Sequence, residues 1–80
     1  MPNPMHDPRY AQFRKLLIAE RERSGLTQVD VAGRLRKPQS YVSKYERGER
    51  RLDVIECVDI AQALDSDVTT LLGMLMEKIC

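Results

Sequence analysis

If residues 39–47 form a helix, Gln39, Ser40, Ser43, Lys44 and Arg47 share an arc of about 140°, because successive side chains step by about 100°. All five are hydrogen-bonding or cationic groups, and none is a carboxylate. Tyr41, Val42 and Tyr45 fall on the opposite side, where they can pack, and Glu46 lies off both centres. Such a polar face has the chemistry to read base edges. Gln bonds bidentately to adenine, Lys to O6 and N7 of guanine, and a Ser hydroxyl bonds to either or lets the backbone approach closely. Lys37, Arg47, Arg50 and Arg51 surround the face as cations suited to phosphates, contacts that position a protein without carrying sequence information. Gln28, a neutral donor beside the positive end of the preceding helix, suits a phosphate as well. Plain solvation explains a polar face equally well when the face is taken alone. Tyr41 leaves two roles open, packing or donation of its hydroxyl to a phosphate, whereas Tyr45 reads as packing.

Other chemistry is poorly provided for. Cys57 and Cys80 fit no zinc spacing, and the lone His6 lies in a proline-punctuated leader, so no metal or cofactor is expected. Cys57 reads as a small core residue on a helix and Cys80 as a terminal thiol. No Ser, Cys or carboxylate has a base positioned beside it, which argues against an enzyme. The chain is 80 residues long, 42% hydrophobic and 31% charged, the balance of one small soluble domain. Its longest apolar runs are far too short for a membrane span or a signal peptide, and a cytoplasmic protein is expected.

The net charge of +1 conceals an asymmetry. Twelve basic residues face five acidic ones between Arg9 and Arg51, a balance of +7. From Leu52 onward Lys78 stands against six acids, a balance of −5. This is the pattern of a polyanion-binding face backed by a solvating or partner-facing end.

The elements that must position these groups are all helical, since no stretch alternates with the period of two that marks a strand. Residues 1–7 read as a disordered leader and 8–80 as a single domain. Asp7-Pro8 opens the first helix, whose stripe is Tyr10, Phe13, Leu16 and Leu17, and Ser24-Gly25 closes it. Thr27 with Asp30 caps the second, which turns Val31, Ala32 and Leu35 inward and ends near Arg36, ahead of Pro38. The third runs from Gln39 to Arg47 and stops at Gly48. Asp53 with Glu56 caps the fourth, with Ile55, Val58, Ala61 and Leu64 as its expected inner side. The fifth carries Leu71, Leu72, Met74, Leu75, Met76 and Ile79, more apolar surface than one stripe holds, and a two-fold dimer through this helix is expected.

The run from Leu26 to Ala32, LTQVDVA, followed by QSYVSKYERGER from Gln39 to Arg50, resembles the helix-turn-helix of the Cro and phage-repressor family, the Xre-like regulators. The resemblance extends from about Arg9 to Leu72 and implies an all-α, five-helix, lambda-repressor-like domain with its helix-turn-helix at helices two and three. It further implies a transcriptional regulator that binds a palindromic operator as a homodimer, with helix three in the major groove of double-stranded DNA. Base contact is carried over to Gln39, Ser40, Ser43 and Lys44, backbone contact to Gln28 and Arg47, and a buried ion pair to Arg21 and Glu46. Two other roles are compatible with this family: an antitoxin or adaptor holding a protein partner, and a restriction-modification controller protein. One departure stands out. Relatives usually place glycine where this chain has Arg36, since the backbone there often takes a positive φ, a conformation that costs a side-chain-bearing residue about 1–2 kcal/mol.

Overall fold

The computed structural model describes residues 7–79, so most of the expected leader and the Cys80 thiol lie outside the described residues. Five helices follow one another: α1 (Pro8–Arg23), α2 (Gln28–Leu35), α3 (Gln39–Glu46), α4 (Val54–Ala63) and α5 (Val68–Ile79). No strand occurs among the described residues.

Each boundary has a local cause. The Asp7 carboxylate accepts from the Arg9 backbone N–H at 2.7 Å, and Pro8 sits where its missing N–H is harmless. Thr27 and Asp30 exchange side-chain-to-backbone bonds of 3.1 and 2.9 Å at the start of α2, a closed capping box. Asp53 and Glu56 do the same at α4, at 2.7 and 3.0 Å. Gly25 takes φ of +74° after α1, the left-handed conformation that ends a helix at little cost to glycine.

Residues from every helix meet in one core, made of Phe13, Leu17, Val31, Ala32, Val42, Tyr45, Leu52, Ile60, Ala61, Ala63, Leu64 and Leu71. The inner face of α4 differs from the expected one. Ala61 and Leu64 are buried, but Ile55 is 68% exposed and Ile60 takes its place in the core. Cys57, Ile60, Ala61 and Leu64 form the complete i, i+3, i+4, i+7 stripe, and Ile55 lies on the far side of it. Cys57 packs against the core, and its burial, chiefly, pushes the thiol up to about 11.

Helix α5 resolves into two stripes. Val68, Leu71 and Leu75 face inward, with Leu71 fully buried, so Leu71 is core and cannot belong to the dimer surface expected of it. Met74 and Leu75 are half-buried, and Leu75 packs on the core. Leu72, Met76 and Ile79 remain outward, at 47, 56 and 40% exposure, along i, i+4, i+7.

Arg36 closes α2 with φ 57° and ψ 44°, the left-handed conformation. Its side chain is exposed and makes no hydrogen bond or ion pair among the described residues. Arg36→Gly therefore relieves about 1–2 kcal/mol of strain against about 0.5–1 kcal/mol of added unfolded-state entropy. Thermal unfolding is expected to show a midpoint raised by a few degrees, and a lower midpoint would contradict this account of the turn.

Candidate nucleic-acid interface

Arg36, Lys37 and Pro38 carry the chain from α2 to α3. The left-handed Arg36 lets the Lys37 N–H reach back to the Ala32 carbonyl at 3.0 Å, and Pro38 fixes an extended entry into α3. Helix α3 is moored by Val42 and Tyr45, at 0 and 1% exposure, and Tyr41 meets Tyr45 edge to face at 5.7 Å. Burial, first of all, raises the Tyr45 hydroxyl well above its ordinary range, in keeping with a packing role. On the opposite side Gln39, Ser40, Lys44 and Arg47 are exposed and Ser43 is half-buried. The five polar groups placed on one arc by their spacing are thus left uncovered by the rest of the chain or, for Ser43, only partly covered.

Behind that face lies a connected polar network. Arg21 of α1 donates from Nε to Glu46 Oε2 at 2.7 Å and from Nη2 to Oε1 at 3.2 Å, a bidentate pair with only 14 and 6% side-chain exposure. The Glu46 carboxylate also accepts from Gln28 Nε2 at 2.9 Å, and Gln28 Oε1 accepts from Gln39 Nε2 at 2.7 Å. A continuous path therefore runs from α1 through the buried carboxylate to Gln39 at the edge of the exposed face. Gln39 keeps its carbonyl oxygen and one N–H free, the acceptor and donor that adenine requires. Gln28 keeps a single N–H for a phosphate.

The expected backbone contacts fall into two groups. Lys37 and Arg51, like Lys44 on the polar face of α3, form no ion pair among the described residues, where Arg47 pairs only with Glu49, both side chains more than half exposed, at 2.8 Å. Arg50 and Tyr41 are engaged instead. The Tyr41 hydroxyl donates to Glu56 Oε2 at 2.8 Å, and the Arg50 guanidinium pairs with the same oxygen. Partial burial and then the Glu56 bond push the Tyr41 hydroxyl up to about 12.

Two participants carry no signal of this role in the sequence. Arg14 donates from Nη1 to the Glu46 carbonyl at 2.9 Å and satisfies the C-terminus of α3. A Cβ at position 48 would stand 2.9 Å from Arg14 Cζ, so Gly48 answers to a contact with a residue far away in sequence as well as to its positive φ. The second is Glu56, visible in sequence only as a cap.

The Asp53 N–H and then Arg50 hold the Glu56 carboxyl down at about 2. Its folded value lies below the unfolded one of about 4.3, so the stability it contributes is complete above that value and is lost as pH falls towards 2. The thermal midpoint should therefore fall more steeply between pH 5 and pH 2 in the wild type than in Glu56→Gln. Parallel curves would refute the assignment.

A family model described as Helix-turn-helix matches residues 17–71. An XRE-family like protein from Pseudomonas syringae pv. tomato is 44% identical, with a TM-score of 0.87 over 91% of this chain and 89% of that one. The restriction-modification controller protein C.Esp1396I, as a tetramer in complex with its natural 35 base-pair operator, is 23% identical, with a TM-score of 0.83 over 92 and 97% of the two chains. The clp gene regulator ClgR from C. glutamicum is 24% identical, with a TM-score of 0.77 over 90 and 92%. At these last two identities the likeness is one of fold. No curated protein matches the chain. Among the described residues no helix is long and apolar enough to cross a membrane.

Proposed function

The chain belongs to the XRE family of helix-turn-helix proteins, and on that premise we propose that it is a sequence-specific transcriptional regulator that grips a palindromic operator as a homodimer, α3 lying in the major groove. The observation that carries this reading is the division of α3. Val42, Tyr45 and Glu46 are buried while Gln39, Ser40, Lys44 and Arg47 stand exposed, with Gln39 braced from behind. Gln39, Ser40, Ser43 and Lys44 read bases. Gln28, Lys37, Arg47 and Arg51 hold phosphates, joined by Tyr41 and Arg50 once these leave Glu56. Residues 8–80 act as one unit that binds without catalysis, and Leu72, Met76 and Ile79 supply the apolar strip against a second copy, which sets two α3 helices about 34 Å apart in successive grooves.

Control of restriction-modification genes is one form of the same reading, since C.Esp1396I is seen on its operator. A protein partner at the acidic end is favoured by a separate observation, the exposure of Val54 and Ile55 at 75 and 68%. Copurification of a small partner protein with the chain tests it.

Selection from a random duplex pool should recover sites with two-fold symmetry. On the recovered site Gln39→Ala and Lys44→Ala should each cost about 1–3 kcal/mol and relax base preference, whereas Arg47→Ala should weaken every sequence alike. Equal losses on selected and random duplexes for all three variants would show that α3 is not the reading element.

A further inference from the structure

Glu56 holds the two groups that phosphate binding would draw on. It stands in the first turn of α4, where its Oε1 accepts from the Asp53 N–H and completes the cap. Its Oε2 receives both the Tyr41 hydroxyl and the Arg50 guanidinium. Arg50 also lies 4.9 Å from the centre of the Tyr41 ring, and the Lys37 ammonium lies 5.5 Å from it. An anionic oxygen held by both a guanidinium and a phenol meets the kind of donors that a DNA phosphate oxygen meets in a protein interface. The Arg50 and Glu56 side chains are 45 and 23% exposed, so the pair sits at the solvent edge, where an incoming phosphate can reach the donors.

We infer that Glu56 occupies, in the free protein, the place of a DNA phosphate oxygen, and thereby limits how much Arg50 and Tyr41 contribute to binding duplexes of arbitrary sequence. The inference rests on the DNA-binding reading and adds to it a positioning residue that makes no DNA contact of its own. On a random duplex a phosphate would have to displace a charge-assisted partner that is already well placed, an exchange with little net gain. On the operator, base contacts fix the register of α3 and hold a phosphate against the pair long enough to draw Arg50 across. Glu56 thus makes the engagement of Arg50 conditional on a well-placed phosphate and holds down affinity for duplexes that do not supply one.

The test is a salt titration of the full chain on a labelled duplex of random sequence. Glu56→Gln keeps a side-chain oxygen for the Asp53 N–H, so α4 keeps its cap while Arg50 loses its counter-charge. Affinity for the random duplex should rise about tenfold, and the log–log salt slope should steepen by about two per dimer, one added phosphate contact per protomer. On the operator the gain should be at least as large, because there the wild type already breaks the pair, while the slope should change little. Asp59→Asn removes the same charge one turn further along α4 from a residue that bonds to neither Arg50 nor Tyr41, and should change binding by less than about twofold, the effect of an exposed charge. Arg50→Ala combined with Glu56→Gln should return the random-duplex affinity to the wild-type level. A Glu56→Gln protein that binds no tighter than wild type overturns the inference. So does an equal gain in Asp59→Asn or in the double variant, because bulk charge would then explain it. A wild type that binds no duplex at any salt overturns the DNA-binding reading itself, and this inference with it.

Discussion

Glu46→Ala is expected to be the most damaging single substitution outside the apolar core, lowering stability by about 3–5 kcal/mol. The carboxylate is 6% exposed and accepts from both Arg21 and Gln28. Its removal leaves a guanidinium of 14% exposure with only the Leu26 carbonyl, at 2.9 Å, to satisfy it. A chain of this size holds about 4–12 kcal/mol in all, so the loss is a large fraction of the total. The thermal midpoint should fall by about 12–40 °C, at about 4–8 °C for each kcal/mol in a domain of this length. Replacing the pair together, Arg21→Leu with Glu46→Leu, should recover most of the stability, because apolar groups of similar volume avoid the cost of an unpaired buried charge. Sequence preference should not recover with it. Gln28 would then have no carboxylate behind it, and Gln39 would lose the fixed orientation that presents its free oxygen and N–H outward. A Glu46→Ala protein melting within a few degrees of wild type would mean that the network is ornamental to the fold.

What the sequence disclosed and what it withheld follow from the range of the interactions concerned. Thr27 with Asp30 and Asp53 with Glu56 mark helix starts because each partner lies within one turn of the other, and the structure closes both boxes. The two faces of α3 were legible for a similar reason, since spacing alone separates Gln39 and Lys44 from Val42 and Tyr45. The expected inner side of α4 ran against that same spacing: at about 100° per residue Ile55 and Leu64 stand on opposite sides of the helix, whereas Cys57, Ile60, Ala61 and Leu64 share one stripe. Leu71 and Leu72 are a different case, neighbours on a helix apolar on two sides, and only packing decides which of them is core. The clasp of Tyr41 and Arg50 on Glu56, and the Arg14 bond to the end of α3, join residues 6 to 32 positions apart. Such partners are brought together by the fold, and no local pattern announces them.

That clasp changes the expected salt dependence of binding. Counted from sequence, Lys37, Arg47, Arg50 and Arg51 supply eight phosphate-seeking cations to a dimer. If Arg50 stays with Glu56, six remain, and the slope of log affinity against log salt on random DNA should be about −5, a loss of about 10³-fold between 50 and 200 mM. Eight engaged cations would give a slope of about −7 and a loss of about 10⁴-fold over the same interval. Arg47 counts among the six despite its pair with Glu49, because both side chains are exposed and such pairs are worth so little that a phosphate easily replaces the carboxylate. The operator should behave differently from random DNA, with the steeper slope, since there the fit of α3 brings Arg50 into play. Fluorescence anisotropy across a salt series on both duplexes measures the two slopes directly. A slope near zero on either duplex would remove the electrostatic basis of the proposed function. Identical slopes near −7 on both would leave the DNA-binding reading intact and show that Glu56 yields Arg50 to any phosphate.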